Sequence, residues 1–189
     1  MPFATSRFSL TSDLTGEVIH SSGWSGFTLE RILATIGVYG WTLEAFLAAL
    51  RQAEVALVLD VRQRRGVRGR DYAWANARRL QTALAEARIA YRHHPELAPT
   101  TDLRRLQYRE DDRLGVGKRS RAKLAPEYQE RYLREILDPL DLAPVVVELP
   151  AEGAGVLLCV EREPEACHRW LIAERLSAEF GLKVVHLRP

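Results

Sequence analysis

The two cysteines of the chain lie close together, and a histidine and an arginine follow the second one. Cys159 and Glu161 come at the end of an apolar run, and Cys167, His168 and Arg169 follow in what reads as the first turns of a helix. The free N–H groups and the dipole at a helix N-terminus attract anions and lower the pKa of a thiol. The segment therefore predicts a site for a phosphate-bearing ligand, for a reactive thiolate, or for both.

Each of these groups has a predicted role. Cys167 is the candidate nucleophile because of its first-turn position, whereas Cys159 is predicted to be a buried core thiol. Adjacent helix positions diverge by about 100°, so at most two of Cys167, His168 and Arg169 can face one pocket. Glu161 is expected to hold His168 or a ligand hydroxyl. Cys159, Cys167 and His168 are also a conceivable set of soft metal ligands. No metal site is predicted, however, because the Cys-x7-Cys-His spacing matches no compact zinc pattern, and the sequence identifies no cofactor.

Apolar runs and helical stripes alternate along the chain. Strands are predicted at residues 32–38, 56–61, 89–93, 156–160 and 183–187, and helices at 42–53, 72–88 (capped by Asp71), 124–137 and 164–180. Residues 95–123 have little apolar periodicity and are predicted to be a long loop or lid with short helical pieces. Residues 145–147 either finish a helix or form a short strand.

This alternation predicts a single α/β domain, with a mainly parallel sheet of about five strands and helices on both faces. The domain is expected to span residues 32–189. Residues 1–31 are expected to be an extension in which residues 8–10 and 17–19 can form a short hairpin. The two cysteines suit a reducing compartment, and we find neither an apolar run of about 18 residues nor a signal core. A cytoplasmic protein without membrane association is therefore expected.

Ligands of such sheets bind beyond the carboxyl ends of the strands. There Asp60 is expected to orient Arg62 or to act in acid–base chemistry, although it can also simply cap a loop or pair with Arg62. Arg62 and Arg169 are expected to clamp an anion, because paired guanidinium groups suit phosphate oxygens. The other strand ends contribute further candidate ligand-binding residues, namely Thr35, Gly37, His93 and Glu96.

Positive charge is concentrated in one part of the chain. The net charge is +2, but residues 62–123 contain 17 basic and 7 acidic residues. This segment predicts nucleic-acid contacts through Arg64, Arg65, Arg68 and Arg70. The first functional hypothesis is an enzyme that acts on nucleotides or nucleic acid in an anion-binding pocket. The alternative is a non-enzymatic nucleic-acid-binding or regulatory module, and an arginine-rich solvated surface would explain the charge equally well.

The chain contains five short motifs, namely Thr35-Ile36-Gly37, Asp60-Val61-Arg62, Pro95-Glu96-Leu97, Leu158-Cys159-Val160-Glu161 and Cys167-His168-Arg169. Together they resemble one known family, the domain of unknown function family 488. The resemblance covers about residues 33–187 and implies the fold and the position of the site, but no established reaction. Val38 stands where the family pattern has a histidine, the proline usual after Asp-Val-Arg is missing, and Ala98-Pro99 replaces a glycine pair. If that histidine is needed chemically, the activity of this member is altered or lost.

Overall fold

A five-stranded, all-parallel sheet forms the centre of the molecule. The computed structural model describes residues 31–117 and 119–189, so the predicted hairpin in the first thirty residues lies outside the described residues. The strand order is β3-β2-β4-β1-β5. The strands are β1 (Ile32–Ile36), β2 (Val55–Asp60), β3 (Ala90–His93), β4 (Ala154–Leu158) and β5 (Lys183–Leu187). The predicted single α/β domain with a parallel sheet of about five strands is confirmed.

Six α-helices accompany the sheet in the described ranges and cover both of its faces. They are α1 (Leu43–Gln52), α2 (Ala77–Glu86), α3 (Thr101–Leu114), α4 (Pro126–Tyr132), α5 (Ala143–Glu148) and α6 (His168–Phe180). Alternate strand residues enter two cores: Leu57 and Leu59 pack towards α3, α4 and α6, while Val58 packs towards α1 and α2. This period of two is what a sheet buried on both faces requires. None of the described helices is long and apolar enough to cross a membrane.

The register brings three strand ends together. Strand β4 lies between β1 and β2, and Leu158 at its end pairs with both Ile36 and Asp60. The residues that follow these strands therefore emerge side by side at one edge, where parallel sheets commonly bind ligands.

The predicted loop at residues 95–123 is wrong over about half of its length, because α3 occupies fourteen of these residues. Thr100 caps the helix by accepting a hydrogen bond from the Leu103 amide, and Gly115 ends it in the left-handed conformation. The helix has little apolar periodicity because its inner face also buries Gln107 and Asp111, which bond to each other. A buried polar pair of this kind hides a helix from hydropathy patterns.

The predicted helix at 72–88 is divided into two pieces. A 3-10 segment, Arg70–Ala75, precedes α2, and Asn76 between them has extended backbone angles. The Asn76 side chain accepts a hydrogen bond from the Val67 amide, and the Ala77 amide donates to the Arg65 carbonyl oxygen. These bonds hold the preceding loop against the helix start. Asp71 lies inside the 3-10 segment and is not the cap that the sequence predicts.

Three other predicted segments are helical in the structure, two of them with an irregular part. The helix expected at 164–180 consists of a 3-10 turn, Pro164–Ala166, and then α6, with Cys167 extended between them. The helix expected at 124–137 is α4 continued by a π-helical segment, Leu133–Leu137. Residues 145–147 belong to α5, so the helical alternative holds there.

Gly37 follows β1 and allows the backbone after β4 to approach closely. A Cβ atom at this position would lie 1.8 Å from the Glu161 carbonyl oxygen. That distance is far below van der Waals contact, and both groups are backbone or attached directly to it. Only glycine therefore fits at position 37 without displacing the segment that carries Glu161.

We expect Gly37→Ala to lower the free energy of unfolding by about 1–3 kcal/mol, the usual cost of overpacking. Gly66→Ala is the matched control, because the atom nearest to its Cβ, Asn76 Oδ1, would lie 3.9 Å away and its φ is not positive. Urea denaturation of both variants measures the difference. Equal stabilities would show that the loop moves away at no cost.

Candidate functional site

A pocket of about 670 Å³ opens at the carboxyl edge of the sheet. Its floor contains Cys159, Glu161, Cys167 and His168, which come from the end of β4 and the start of α6. Its wall contains six arginines, namely Arg62, Arg64, Arg68, Arg104, Arg105 and Arg121, and three tyrosines, Tyr39, Tyr108 and Tyr128. The pocket therefore combines a thiol- and imidazole-bearing floor with a basic wall.

The two thiols and one imidazole form a compact buried cluster. The Sγ atoms of Cys159 and Cys167 each lie 3.8 Å from Nδ1 of His168. All three ligand-type atoms lie within 4.8 Å of one another. Both cysteines are free thiols, and all three side chains are buried. Folding thus joins residues that are eight positions apart in the chain.

A backbone carbonyl group fixes the orientation of the imidazole. The Nε2 atom of His168 lies 3.0 Å from the carbonyl oxygen of Val61, just after β2. Because a carbonyl oxygen can only accept a hydrogen bond, Nε2 carries a proton and donates it. Nδ1 is therefore the atom that faces the two sulfur atoms in every protonation state of the ring.

Burial and mutual contact separate the two thiol pKa values. Burial, together with the hydrogen bond and charge of Cys167, raises the pKa of Cys159 well above its usual range. Burial also opposes ionisation of Cys167, but the hydrogen bond from Cys159 and the charges of His168 and Arg169 lower its pKa well below the usual range. Burial by itself would lower the pKa of His168. The contacts with Cys167 and Val61 have the larger, opposite effect, so the pKa of His168 is raised. Without any ligand, these effects favour a Cys167 thiolate beside a protonated His168.

Glu161 is connected to the wall by a buried ionic chain. The Arg121 guanidinium donates to Glu161 Oε1 at 3.2 Å and to Asp111 Oδ2 at 2.7 Å. Glu161 Oε2 accepts a hydrogen bond from the Cys159 thiol at 3.5 Å. The chain links α3 to the pocket floor and fixes the carboxylate beside Cys159.

Sequence reasoning missed Arg121, Asp111 and the buried Tyr128 above the floor. All lie within or just beyond the segment predicted to be a loop. The Gln107 and Asp111 pair, spaced by four residues, is the one local signal that could have indicated a helix with a polar inner face.

Asp60 and Arg62 form a buried bidentate pair. The Arg62 guanidinium donates to both carboxylate oxygens of Asp60, at 2.8 and 2.7 Å, and also to the Ala75 carbonyl oxygen at 2.9 Å. The Tyr91 hydroxyl donates to the same carboxylate, and His93 Nε2 donates to the Arg62 carbonyl oxygen. Arg62 lines the pocket, whereas Asp60 has no exposed surface and lies beneath it. Asp60 thus pairs with Arg62 and holds it in place, a geometry that the predicted orienting role and the predicted simple pair have in common.

Arg169 holds the loop that follows β4. Its guanidinium donates to the carbonyl oxygens of Glu161 and Arg162, at 2.7 and 2.9 Å, and it is fully buried outside the pocket lining. Together with the close approach at Gly37, these bonds fix the backbone of Glu161. Arg169 and Gly37 therefore shape the site without facing it.

Other predicted site residues lie away from the pocket lining. Thr35 Oγ1 bonds to His186 Nδ1 at 2.9 Å across β1 and β5, and Glu96 bonds to His94 at 2.7 Å. Neither Thr35 nor Glu96 lines the pocket, and the same holds for His93.

The four arginines predicted to bind nucleic acid divide into two pairs. Arg64 and Arg68 line the pocket and are exposed, whereas Arg65 and Arg70 do not line it. Arg65 instead lies beside the Tyr91 hydroxyl.

Comparisons with known proteins identify the family. The sequence profile described as "Domain of unknown function DUF488" matches residues 42–176. The comparison with curated proteins and the comparison with solved structures each gave no match. The profile spans β2, β3, β4 and the floor of the pocket, but neither β1 nor β5. The resemblance seen in the five sequence motifs is thereby confirmed, and the chain belongs to the DUF488 family.

Proposed function

We propose that this protein is an enzyme that binds a phosphate-bearing substrate, a nucleotide or a nucleic-acid end, in the strand-end pocket. The observation that carries the proposal is the surplus of guanidinium groups on the wall directly above the buried thiol and imidazole floor. An anion held by the wall would place its neighbouring atoms at the floor, where the chemically reactive side chains lie.

Half of the wall arginines have no acidic partner. Arg62 pairs with Asp60, Arg121 pairs with Asp111 and Glu161, and Arg105 lies 3.6 Å from Asp102. In the part of the chain that the structure describes, no carboxylate pairs with the remaining three, Arg64, Arg68 and Arg104. Three uncompensated positive charges around one concave surface favour a multiply charged anion such as a phosphate group.

One wall arginine, Arg104, has a partly buried side chain on α3. Its Nε is buried, and no described atom accepts a hydrogen bond from it. Its Nη2 donates to Thr101 Oγ1 at 3.0 Å, so the guanidinium is held in place on α3. Buried donors are usually paired, and a phosphate oxygen would satisfy this one.

The pocket can also accommodate a base. A volume of about 670 Å³ lies within the range of roughly 300–1,000 Å³ that is typical of small-molecule sites. Tyr108 lines the pocket from the same helix as Arg104 and is 40% exposed. An exposed aromatic ring next to phosphate-binding arginines is suited to stacking on a nucleobase. This feature favours a nucleotide over inorganic phosphate.

The alternative, a non-enzymatic nucleic-acid-binding module, has one observation in its favour. Arg70 and Arg109 are exposed and lie outside the pocket lining, so the exposed arginines of this region are not confined to the pocket. A module of this kind would bind polynucleotides through the outer arginines and would not need the pocket wall.

We expect the triple variant Arg64→Gln, Arg68→Gln, Arg104→Gln to bind a fluorescent nucleoside monophosphate at least about tenfold more weakly at low salt, because it loses three charge-assisted hydrogen bonds. For a single-stranded oligonucleotide, the salt slope should fall by about 2, since each phosphate contact contributes roughly 0.7. The matched control is Arg51→Gln, Arg78→Gln, Arg79→Gln, which removes the same charge from exposed helical positions outside the pocket.

Equal losses in the two triple variants would mean that only overall charge matters and would contradict the pocket. Tight oligonucleotide binding without any mononucleotide binding would instead support the non-enzymatic module.

Tyr108→Ala should weaken nucleotide binding by about 1–3 kcal/mol, the usual contribution of a stacked base, and leave inorganic phosphate binding unchanged. Tyr108→Phe is the control, because it keeps the ring and removes only the hydroxyl. Isothermal titration calorimetry with both ligands measures this difference. If Tyr108→Ala weakens the two ligands equally, the ring does not contact a base.

A further inference from the structure

We propose that Cys159, Cys167 and His168 bind one transition-metal ion of the zinc class, with an open coordination position directed into the pocket. The proposal concerns the floor alone and does not depend on which ligand the basic wall binds. It also revises the interpretation of the sequence, from which no metal site is predicted.

The distances within the cluster match those between the ligands of a metal. Zinc lies about 2.3 Å from a thiolate and about 2.0–2.1 Å from an imidazole nitrogen, so a tetrahedral site separates S from N by roughly 3.6 Å. The two S-to-N distances here are both 3.8 Å, and all three atoms lie within 4.8 Å of one another. The two S-to-N distances would need to shorten by only about 0.2 Å to match a tetrahedral site.

The surroundings of His168 are those of a metal ligand. Ligating histidines almost always donate their other ring N–H to a carbonyl or carboxylate group, which fixes the tautomer and the ring orientation. The Val61 carbonyl oxygen accepts this bond from Nε2 and leaves Nδ1 directed at the two sulfur atoms. A metal ion would occupy the place of the proton on Nδ1.

The second cysteine distinguishes a metal site from a simple nucleophile and base. A nucleophile paired with His168 needs one thiol, and the Nδ1 lone pair can accept only one proton. Here both sulfur atoms are equally distant from Nδ1 and both are buried. Two thiolates and a neutral imidazole balance the charge of one divalent ion, and soft sulfur donors select zinc-class metals. Cys167 would then be a ligand and not the free nucleophile predicted from sequence.

The position of the cluster indicates a reactive and not a purely structural metal. Structural zinc sites are closed by four protein ligands, whereas catalytic sites have three and an open position. The cluster of described residues has three, and all of them line the pocket floor. Glu161 beside Cys159 would be near a metal-bound water and could accept its proton. Only this last step, the action of that water on a substrate, rests on the proposed function.

Metal binding is measured directly on reduced, chelator-treated full-length protein titrated with Zn²⁺ or Co²⁺. We expect one ion per chain by native mass spectrometry, and thiolate-to-cobalt charge-transfer bands with the intense visible bands of tetrahedral Co²⁺. Cys159→Ser, Cys167→Ser and His168→Gln should each weaken Zn²⁺ binding at least about tenfold. The control is His186→Gln, because His186 is half-buried and lies outside the pocket.

Thiol labelling keeps the test decisive if the ligand variants fold poorly. Zn²⁺ should protect both cysteines of the unmodified protein from iodoacetamide and should raise its melting temperature, because a ligand of the native state stabilises it. If folded protein binds no Zn²⁺ or Co²⁺, and Cys167 alkylates rapidly below neutral pH whether or not Zn²⁺ is present, the metal site is overturned in favour of a free nucleophile. If His186→Gln loses Zn²⁺ as the ligand variants do, the assigned ligands are wrong. No phosphate ligand enters these measurements, so their outcome is separable from that of the wall-arginine variants.

Discussion

The hydrogen bond from His168 to the Val61 carbonyl oxygen is the contact on which the whole site depends. It joins the start of α6 to the end of β2, across the strand that carries Cys159. It also decides which ring nitrogen faces the thiols. The bond is possible because β4 lies between β1 and β2 in parallel register, so that their carboxyl ends emerge together. The sheet order is thus a requirement for this contact at its edge.

The loop after β4 must be equally well fixed, because it carries Glu161. Three constraints act on it: the close approach at Gly37, the two carbonyl groups held by Arg169, and the ion pair with Arg121. The first two fix the backbone of Glu161, and the third fixes its carboxylate. Preorganisation of this kind is what sites with buried polar groups require.

The sequence predicts the sheet and the edge at which ionisable residues gather, because both depend on local patterns. Apolar runs mark the strands, and ionisable residues just after them mark the carboxyl edge. It could not reveal α3, whose inner face is partly polar, nor Arg121, which reaches the floor from a segment without periodicity. It also could not reveal that Cys159 and Cys167 meet at one nitrogen. The two thiols meet there because the backbone of Cys167 is extended just before α6. The sequence instead predicts a continuous helix from Pro164, in which Cys167 would have helical backbone angles.

The buried ion pairs are better understood as positioning devices than as sources of stability. Asp60 and Arg62 are both nearly inaccessible to solvent, and desolvation of two charges offsets most of their attraction. Removing one partner would still lower the stability of the folded protein, because the other side chain would be left charged and buried. The pair is therefore tolerated where its geometry is needed. Here the Asp60 carboxylate also accepts the backbone N–H of Arg62 at 3.1 Å, which fixes the turn on which the Val61 carbonyl group is presented to His168.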